Sequence, residues 1–510
     1  MSNSILVIDL GLTNCKCSVF SKDGNILGRT NYPYSTYFPQ PGFVEQDPDE
    51  WWEAACRGIN ELWRTFPSLA NQIDGISVTG HMHALVALGK IGRSLDRALI
   101  LGDQRSIHAA ELLTCELGLP AIYNITGARM DASMPAAKIR WLRANAPEIY
   151  QASRLFVGCK DYIRGLLTGD SLTDPIDACA TSLYDLQKGA WAPELMRSVG
   201  ITESQLPEVA SPIQVVGPLL KEPAKALGLK SGIPVVLGSG DDIEVLGNGL
   251  MAAGQSLEHL GTTGSILTCT DTPVHDTEMA LELYPHAEPG LWVIGGSITT
   301  AGAALAWASQ LLGYSSLETA FSSILLSSQP CRNGNALVFF PHLLGERSPT
   351  WQPMSRGIWI GLTTTHSSDD LMHAAFEGTV FALRHILERI EAMVGVQEII
   401  SVSSQVDENE NWLKLRANIY NRPLGLTKTT DPTALGAMIL ATVGIGIYRD
   451  LCDAVQKTTK MSHRIEPEEK ISRAYDHAYS LYRRVQEVMA PYWEYVSAKS
   501  SDDLITYPEN

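Results

Sequence analysis

Ile5-Leu6-Val7-Ile8-Asp9-Leu10-Gly11-Leu12-Thr13-Asn14 opens the chain, and Leu257-Glu258-His259-Leu260-Gly261-Thr262-Thr263-Gly264-Ser265-Ile266 repeats its pattern about half a chain later. Each is an apolar strand that runs into a Gly/Thr turn and out into a second strand. A tight turn with free amides and hydroxyls can hold a phosphate, and Asp9 at a strand end can orient a hydrated magnesium ion. Taken singly, either stretch is equally an ordinary hairpin, with Asp9 satisfied by backbone amides. Taken together, Leu10-Gly11-Leu12-Thr13 and Leu260-Gly261-Thr262-Thr263 suggest an internal repeat, with two similar domains facing each other across one nucleotide site.

Shortly before the second hairpin, Gly232-Ile233-Pro234-Val235-Val236 leads into Leu237-Gly238-Ser239-Gly240-Asp241-Asp242. A β-branched apolar run that ends in Gly-Ser-Gly reads as a buried strand whose exit loop presents acids at a cleft. A carboxylate there is well placed to take a proton from a substrate hydroxyl. The alternative is that Asp241 caps the helix beginning near Ile243. The hinge is expected just after Asp242, dividing the chain into residues 1–245 and 246–510.

A chain of 510 residues is too long for one core, and 45% apolar with 19% charged residues is ordinary for a soluble globular protein. The formal charge of -17 argues against nucleic acid and against an anionic membrane surface as partners. Any phosphate bound here must therefore be held by local amides, helix ends or a metal. No apolar run reaches bilayer-spanning length and the N-terminus lacks a basic signal segment. The nine cysteines are scattered, and Cys15 and Cys17 share a strand face, so free thiols in a reducing cytoplasm are expected.

Between the hairpins, helix and strand alternate. Cys15 to Phe20 and Ile26 to Asn31 read as strands around the turn Asp23-Gly24-Asn25, and Pro48 to Phe66 as a helix with Trp51, Trp52, Ile59 and Leu62 on its apolar stripe. The strand Ile73 to Gly80 runs into His81-Met82-His83, a candidate wall for a small polar ligand; no third ligand at metal spacing accompanies the histidines. Ala98-Leu99-Ile100-Leu101-Gly102-Asp103-Gln104-Arg105 presents an acid and a base two apart, for which a surface ion pair is the alternative. Helices are expected around 107–117, 134–144 and 160–168. Further on, Thr299-Thr300-Ala301-Gly302-Ala303 opens a helix whose small residues admit either a phosphate or close packing. A strand over Ala336 to Phe340 then leads to Pro341-His342-Leu343-Leu344-Gly345-Glu346-Arg347-Ser348-Pro349, and Ser367-Ser368-Asp369-Asp370 caps a long helix over 369–394.

With these segments in place the chain resembles the FGGY carbohydrate kinases, in a motif order similar to the xylulokinase-like branch, from about residue 5 to residue 445. The resemblance rests on Asp9-Leu10-Gly11, Phe43-Val44-Glu45-Gln46-Asp47-Pro48, Met82-His83 and Asp103-x-Arg105. It continues through Lys160-Asp161-Tyr162, Thr173-Asp174, Gly240-Asp241, Leu260-Gly261-Thr262-Thr263-Gly264, Gly345-Glu346-Arg347-Ser348-Pro349 and Ala434-Leu435-Gly436-Ala437. It implies an α/β fold of two actin-like, ribonuclease-H-like domains with the active site in the interdomain cleft. It also implies ATP-dependent phosphorylation of a small sugar or polyol, with a xylulose-like ketopentose as the default substrate and a homodimer as a possible assembly. Carried over by motif, Asp241 is the general base and Asp9 positions magnesium. Gly11, Thr13, Gly261, Thr262, Thr263 and Gly302 hold the nucleotide phosphates, while Met82, His83, Asp103 and Asp242 line the sugar pocket.

The chain departs from the family pattern at Leu12, where a small or hydroxyl residue is usual, at His81 for Gln, at Leu101 for Trp, and at Asp431 for Glu. The largest departure is Ser404-Gln405-Val406-Asp407, where the family has a glycine-rich turn against the nucleotide. Val406 suits neither positive φ nor close approach, and Asp407, Glu408 and Glu410 add negative charge. The competing expectation is a sugar-binding regulator or pseudokinase with an impaired nucleotide site. An actin-like ATPase without a sugar pocket is opposed by Met82-His83 and Asp103-x-Arg105.

Overall fold

The computed structural model describes residues 4–324, 337–402 and 409–502. Two mixed sheets carry the architecture. The first contains β1 (Ser4–Leu10), β2 (Asn14–Ser21), β3 (Ile26–Pro33), β4 (Ile73–Gly80), β5 (Val215–Pro218) and β6 (Pro234–Val236), in the order β5-β6-β4-β1-β2-β3. The second contains β7 (Ser256–Leu260), β8 (Gly264–Thr270), β9 (Glu282–Pro285), β10 (Trp292–Ile298), β11 (Ile400–Val402), β12 (Leu424–Thr427) and β13 (Met461–Ile465), in the order β9-β10-β8-β7-β11-β12-β13. All seven residues of β1 are buried, as a central strand covered on both faces requires.

The repeat inferred from two short turns extends through both sheets. From β3 across to β5, neighbours pair antiparallel, antiparallel, parallel, parallel and antiparallel. From β10 across to β13 the same five relations recur in the same order. Strand β9 is the addition that breaks the symmetry, pairing on the outer edge of β10. It is also gripped by the first half of the chain: Leu283 N–H donates to the Gly127 carbonyl at 2.9 Å, and Tyr123 Oη to the Leu281 carbonyl at 2.6 Å.

Local signals set most elements where the sequence predicts them. Asp47 caps the helix Pro48–Thr65 by accepting from Asp49 N, and Trp51, Ile59 and Leu62 lie buried while Trp52 is only half-buried. Ser367 and Asp370 form a capping box at the head of the helix Ser368–Val394. The predicted helices become Ile107–Leu117, Pro135–Asn145 and Cys159–Thr168. The strand expected over Ala336 to Phe340 spans Val338–Phe340, its first residue lying outside the described ones. Cys15 and Cys17 sit on one buried face as free thiols, 3.7 Å apart. Among the described residues no helix is long and apolar enough to cross a membrane.

The two halves meet where backbone touches backbone. The short helix Glu244–Gly247 crosses the helix Pro432–Gly444, and glycines on both sides make the crossing possible. A Cβ on Gly247 would lie 1.8 Å from the Pro432 carbonyl oxygen, and one on Gly436 would lie 2.4 Å from that of Ile243. The expected division at 245/246 falls inside this short helix. From the far end of the second helix, Ile445 reaches the first sheet beside Gly75, and Tyr448 Oη donates to the Lys22 carbonyl at 2.8 Å.

Gly247→Ala forces a methyl into a main-chain oxygen, an overpacking that destabilises by about 1–3 kcal/mol. The expected outcome is a lower denaturant midpoint with an unchanged m value, and an unaltered midpoint would contradict the crossing described.

Candidate active site

Parallel pairing of β6, β4 and β1 points their carboxyl ends the same way, so the loops that follow them share one edge. Three segments distant in sequence meet there: Asp9 to Thr13, His81 to His83, and Leu237 to Asp242. The His81 amide donates to the Leu10 carbonyl at 2.8 Å, and the Met82 amide donates to Asp241 Oδ1 at 3.3 Å. Only glycine fits the approach to Asp241. Gly238 has φ +74° and a Cβ there would meet the Val78 carbonyl oxygen at 2.0 Å. At Gly240 a Cβ would stand 2.5 Å from both Met82 Cγ and Asp177 Oδ1. Gly240 itself stands at the head of the short 3-10 turn Asp241–Ile243, with no side-chain cap bond. The structure thus does not realise the helix-cap alternative: Asp241 gives Oδ1 to Met82 and keeps a second oxygen.

Burial pushes the Asp241 carboxyl up to about 7, helped by the negative charges of Asp9 and Glu244. Asp242 is pushed well above the carboxylate range by burial and by Asp241. Asp9, buried at the end of β1, is raised to about 6 by loss of hydration, although Lys16 Nζ lies 3.3 Å from it. Lys16 also approaches Asp431 at 3.9 Å, and Arg29 holds Asp431 at 2.9 Å. Asp431 caps the helix Pro432–Gly444. Among the described residues no three His, Cys, Asp or Glu side chains form a ready metal cage. Dehydrated carboxylates that raise one another do fit a magnesium ion completed by water and phosphate oxygens.

Both hairpins present the same polar edge. Gly11 N–H turns back to the Asn14 carbonyl and Gly261 N–H to that of Thr263, each at 2.9 Å. The amides of Leu12, Thr13, Thr262 and Thr263 donate to nothing among the described residues, and all four residues are exposed. The first hairpin is held from behind by Gln46, whose Nε2 donates to the Leu12 carbonyl at 2.7 Å, and Trp51 Nε1 fixes Gln46 in turn. Leu12 therefore supplies its backbone here and turns its side chain to solvent.

Met82 and His83 stand at the edge as expected. His83 has φ +65°, unusual for a side-chain-bearing residue, and two bonds hold it there. Lys138 Nζ donates to its carbonyl at 2.7 Å, and its Nδ1 lies 3.1 Å from the Ala180 carbonyl. Burial lowers the His83 pKa, and a neutral ring that donates through Nδ1 leaves Nε2 as an acceptor. Lys138, pushed down to about 7 by burial, also donates to the carbonyls of Leu99 and Ile100.

Two expectations are corrected. Asp103 does not face a sugar pocket: it is fully buried, with Oδ2 accepting from Val44 N at 2.7 Å and both oxygens taken by Arg105 Nε at 2.9 Å. Nor is it a surface ion pair, since Arg105 is buried beside it and reaches on to Glu45. Its role is to tie the 43–46 segment to the strand that ends at Leu99. Gly302 does not offer its helix N-terminus to a phosphate. The amides of Ala301, Gly302 and Ala303 are spent on the carbonyls of Thr262, Gly261 and Thr262, and a Cβ on Gly302 would lie 2.4 Å from the Gly261 oxygen. Close packing against the back of the second hairpin explains the small residue. Of the remaining departures, His81 is buried edge-on to Trp51, Leu101 is exposed, and the turn Ser404–Asp407 lies outside the described residues.

Residues not singled out from the sequence complete the edge. Behind the Asp241 loop, Lys160 Nζ is fully buried among Asp161 at 2.5 Å, Asp174 at 3.1 Å and Asp177 at 3.2 Å. Ser239 Oγ donates to Asp174 at 2.8 Å, which links that network to the loop. From the second half, Arg347 reaches Glu282 on β9 at 3.0 Å and Asp131 of the first half at 3.5 Å. The charges of Asp131, Glu282 and Arg347 all act on His83. Of these, Lys160, Asp161, Asp174, Ser239 and Arg347 lay in segments with a recognisable pattern.

The N-terminal domain model of the FGGY family of carbohydrate kinases matches residues 4–246, and the C-terminal domain model of that family matches residues 259–445. The chain is 26% identical over 487 residues to a xylulose kinase of Staphylococcus xylosus, covering 95% of this chain and 99% of that one. It is 28% identical over 485 residues to a gluconokinase of Bacillus subtilis, covering 93% and 94%. The crystal structure of a gluconate kinase from Lactobacillus acidophilus superposes with a TM-score of 0.91 at 25% identity, covering 97% of this chain and all of that one.

Two stability measurements probe the site. Asp241 binds its proton more tightly folded, at about 7, than unfolded, at 3.8. The folded state therefore loses stability as pH rises through that window. Asp241→Asn removes the penalty while keeping an acceptor for Met82. It is expected to raise the Tm of the ligand-free protein at pH 8 by ~2 °C or more, the shift of ~1 kcal/mol in a domain of this size. The gain should vanish near pH 4, and an equal or lower Tm at pH 8 would contradict the electrostatics. Lys160→Met leaves Asp174 and Asp177 without their cation, while Asp161 keeps Arg164 at 2.6 Å; it is expected to destabilise by about 3–5 kcal/mol, and a loss below ~1 kcal/mol would contradict the network.

Proposed function

Because the chain belongs to the FGGY family of carbohydrate kinases, we propose that it transfers the γ-phosphoryl group of ATP to a hydroxyl of a small neutral ketose or polyol, with Asp241 as general base. The observation that carries this reading is the convergence of Asp241, raised toward neutrality, with two hairpins that each expose two free amides. A base is most effective when its pKa lies near the working pH, because it is then both ionised and able to hold a proton. The Met82 amide fixes Oδ1, and the other carboxylate oxygen takes the proton of the attacking hydroxyl. His83 Nε2 accepts from a neighbouring hydroxyl and sets which oxygen faces Asp241.

Leu12 and Thr13 from one half, and Thr262 and Thr263 from the other, supply amides to the phosphates. Such transfer needs mainly positioning and charge neutralisation. Asp9 would hold the magnesium ion, which when bound neutralises phosphate charge. Closure about the Gly247–Gly436 crossing would shut out water so that the sugar is the acceptor. The division of the chain at 245/246 belongs to the same proposal, with sugar contacts mainly from the first half and nucleotide contacts mainly from the second.

The charge of the pocket favours a neutral substrate. Arg347, a second-half cation whose charge acts on His83, is already paired with Glu282 and Asp131. With Asp242 and Asp177 beside them, the acids outnumber any free cation that could receive a sugar carboxylate. Among neutral substrates a xylulose-like ketopentose is the first choice.

An ADP-release assay with magnesium-ATP across ketopentoses, pentitols, tetritols and aldonates is the direct test. Turnover is expected with a neutral member and not with gluconate. A preference for gluconate would overturn the charge argument. Sugar binding without turnover on any member, and without nucleotide binding, would favour a regulator over a kinase. In the active pairing Asp241→Asn is expected to lower kcat by ~10²–10⁴-fold with sugar affinity retained. A near-normal kcat would remove Asp241 as the base.

A further inference from the structure

The second hairpin carries a cation that the phosphotransfer scheme above does not use. His259 lies on β7, two residues before Gly261 in the turn that follows the strand. Its Nδ1 meets Glu244 Oε2 at 3.0 Å, and Glu244 opens the short helix that follows Asp241 and Asp242. Its other nitrogen faces the hairpin: a Cβ added to Gly261 would lie 3.1 Å from His259 Nε2. That nitrogen has no hydrogen-bond partner among the described residues, and the ring is 42% exposed.

The cations around the cleft differ in how much of their capacity is spent. Lys16 and Arg29 face Asp9 and Asp431, and Arg347 faces Glu282 and Asp131. His259 is held from one side only. Its carboxylate partner stabilises the doubly protonated ring, and the charge of Glu244, outweighing burial, which acts the other way, raises it to about 9. Asp241 and Asp242 act in the same direction, which places the imidazolium within electrostatic reach of the candidate base. A cleft this rich in carboxylates otherwise repels a polyphosphate.

We infer that His259, oriented and kept charged by Glu244, is a phosphate-binding residue whose Nε2–H joins the amides of Thr262 and Thr263 around the transferring phosphoryl group. The inference rests on the phosphotransfer reading. Charge on that group spreads over its outer oxygens during transfer, and a fixed cation beside them lowers the barrier. The Glu244–His259 pair thus links the base-bearing loop to the phosphate hairpin across the junction between the halves.

The test compares wild type with His259→Gln, which keeps a neutral donor of similar size, and His259→Ala, each with magnesium-ATP and the accepted sugar. Loss of one charge-assisted hydrogen bond is expected to lower kcat/KM for ATP by roughly 10–100-fold in both variants. Sugar-induced thermal stabilisation should be unchanged, and added imidazole should restore part of the His259→Ala activity. Binding of a non-hydrolysable ATP analogue, followed by calorimetry, should weaken in both variants. Glu244→Gln should shift both quantities the same way, less strongly. An active wild type whose His259→Gln variant keeps kcat/KM for ATP within about twofold overturns the role of His259 and leaves the kinase reading intact. A wild type that binds the analogue but phosphorylates no sugar removes the proposed reaction, and unchanged binding in His259→Gln then removes the phosphate contact too. A wild type that binds no nucleotide overturns both.

Discussion

Crowded carboxylates at the carboxyl edge of the first sheet constrain much of the rest of the molecule. Asp9, Asp241 and Asp242 are taken out of water within electrostatic range of one another, and each holds its proton more tightly for it. Such an arrangement persists only if the surrounding structure fixes it and supplies counter-charge at measured places. Lys160 anchors the back of the Asp241 loop through three acids, and Lys16 stands beside Asp9. The raised acids make the cleft less stable than a neutral one would be, and a cation or a proton is what relieves them.

The duplicated sheets explain how that edge is approached from two sides. Each half presents one hairpin with two free amides, and the halves touch through a glycine-lined helix crossing directly behind the acid loop. Backbone-to-backbone contact leaves no room for a side chain at the crossing. Strand β9, absent from the first sheet's pattern, carries Glu282 to Arg347 and gives the second half a hold on the first beside His83. The asymmetry of the duplication is therefore concentrated beside His83.

Much of this was legible in the chain. Apolar runs, Gly/Thr turns and the Gly-Ser-Gly-Asp-Asp stretch report on local backbone geometry, which neighbouring residues decide. The hairpins, Asp9, Asp241, Met82 and His83 accordingly lie at the edge where they were expected. Asp103 and Gly302 were misplaced because their sequence signals, an acid near a base and a small residue at a helix start, are compatible with either burial or exposure. Which one holds depends on Val44, Arg105 and the Gly261 carbonyl, all supplied by other elements.

The sequence by itself determined the alternation of helix and strand, the repeat, the family and the acid in the loop after β6, because each rests on short local patterns and on their order along the chain. Tertiary structure alone decided the pairings across segments: Met82 with Asp241, Lys138 with the His83 carbonyl, Glu244 with His259, Arg347 with Glu282. These bring together residues separated by as few as fifteen or as many as 159 positions, and no periodicity records such a separation. They also bear on where Asp241, His83 and His259 hold their protons, since burial and neighbouring charge shift each of them from its ordinary value.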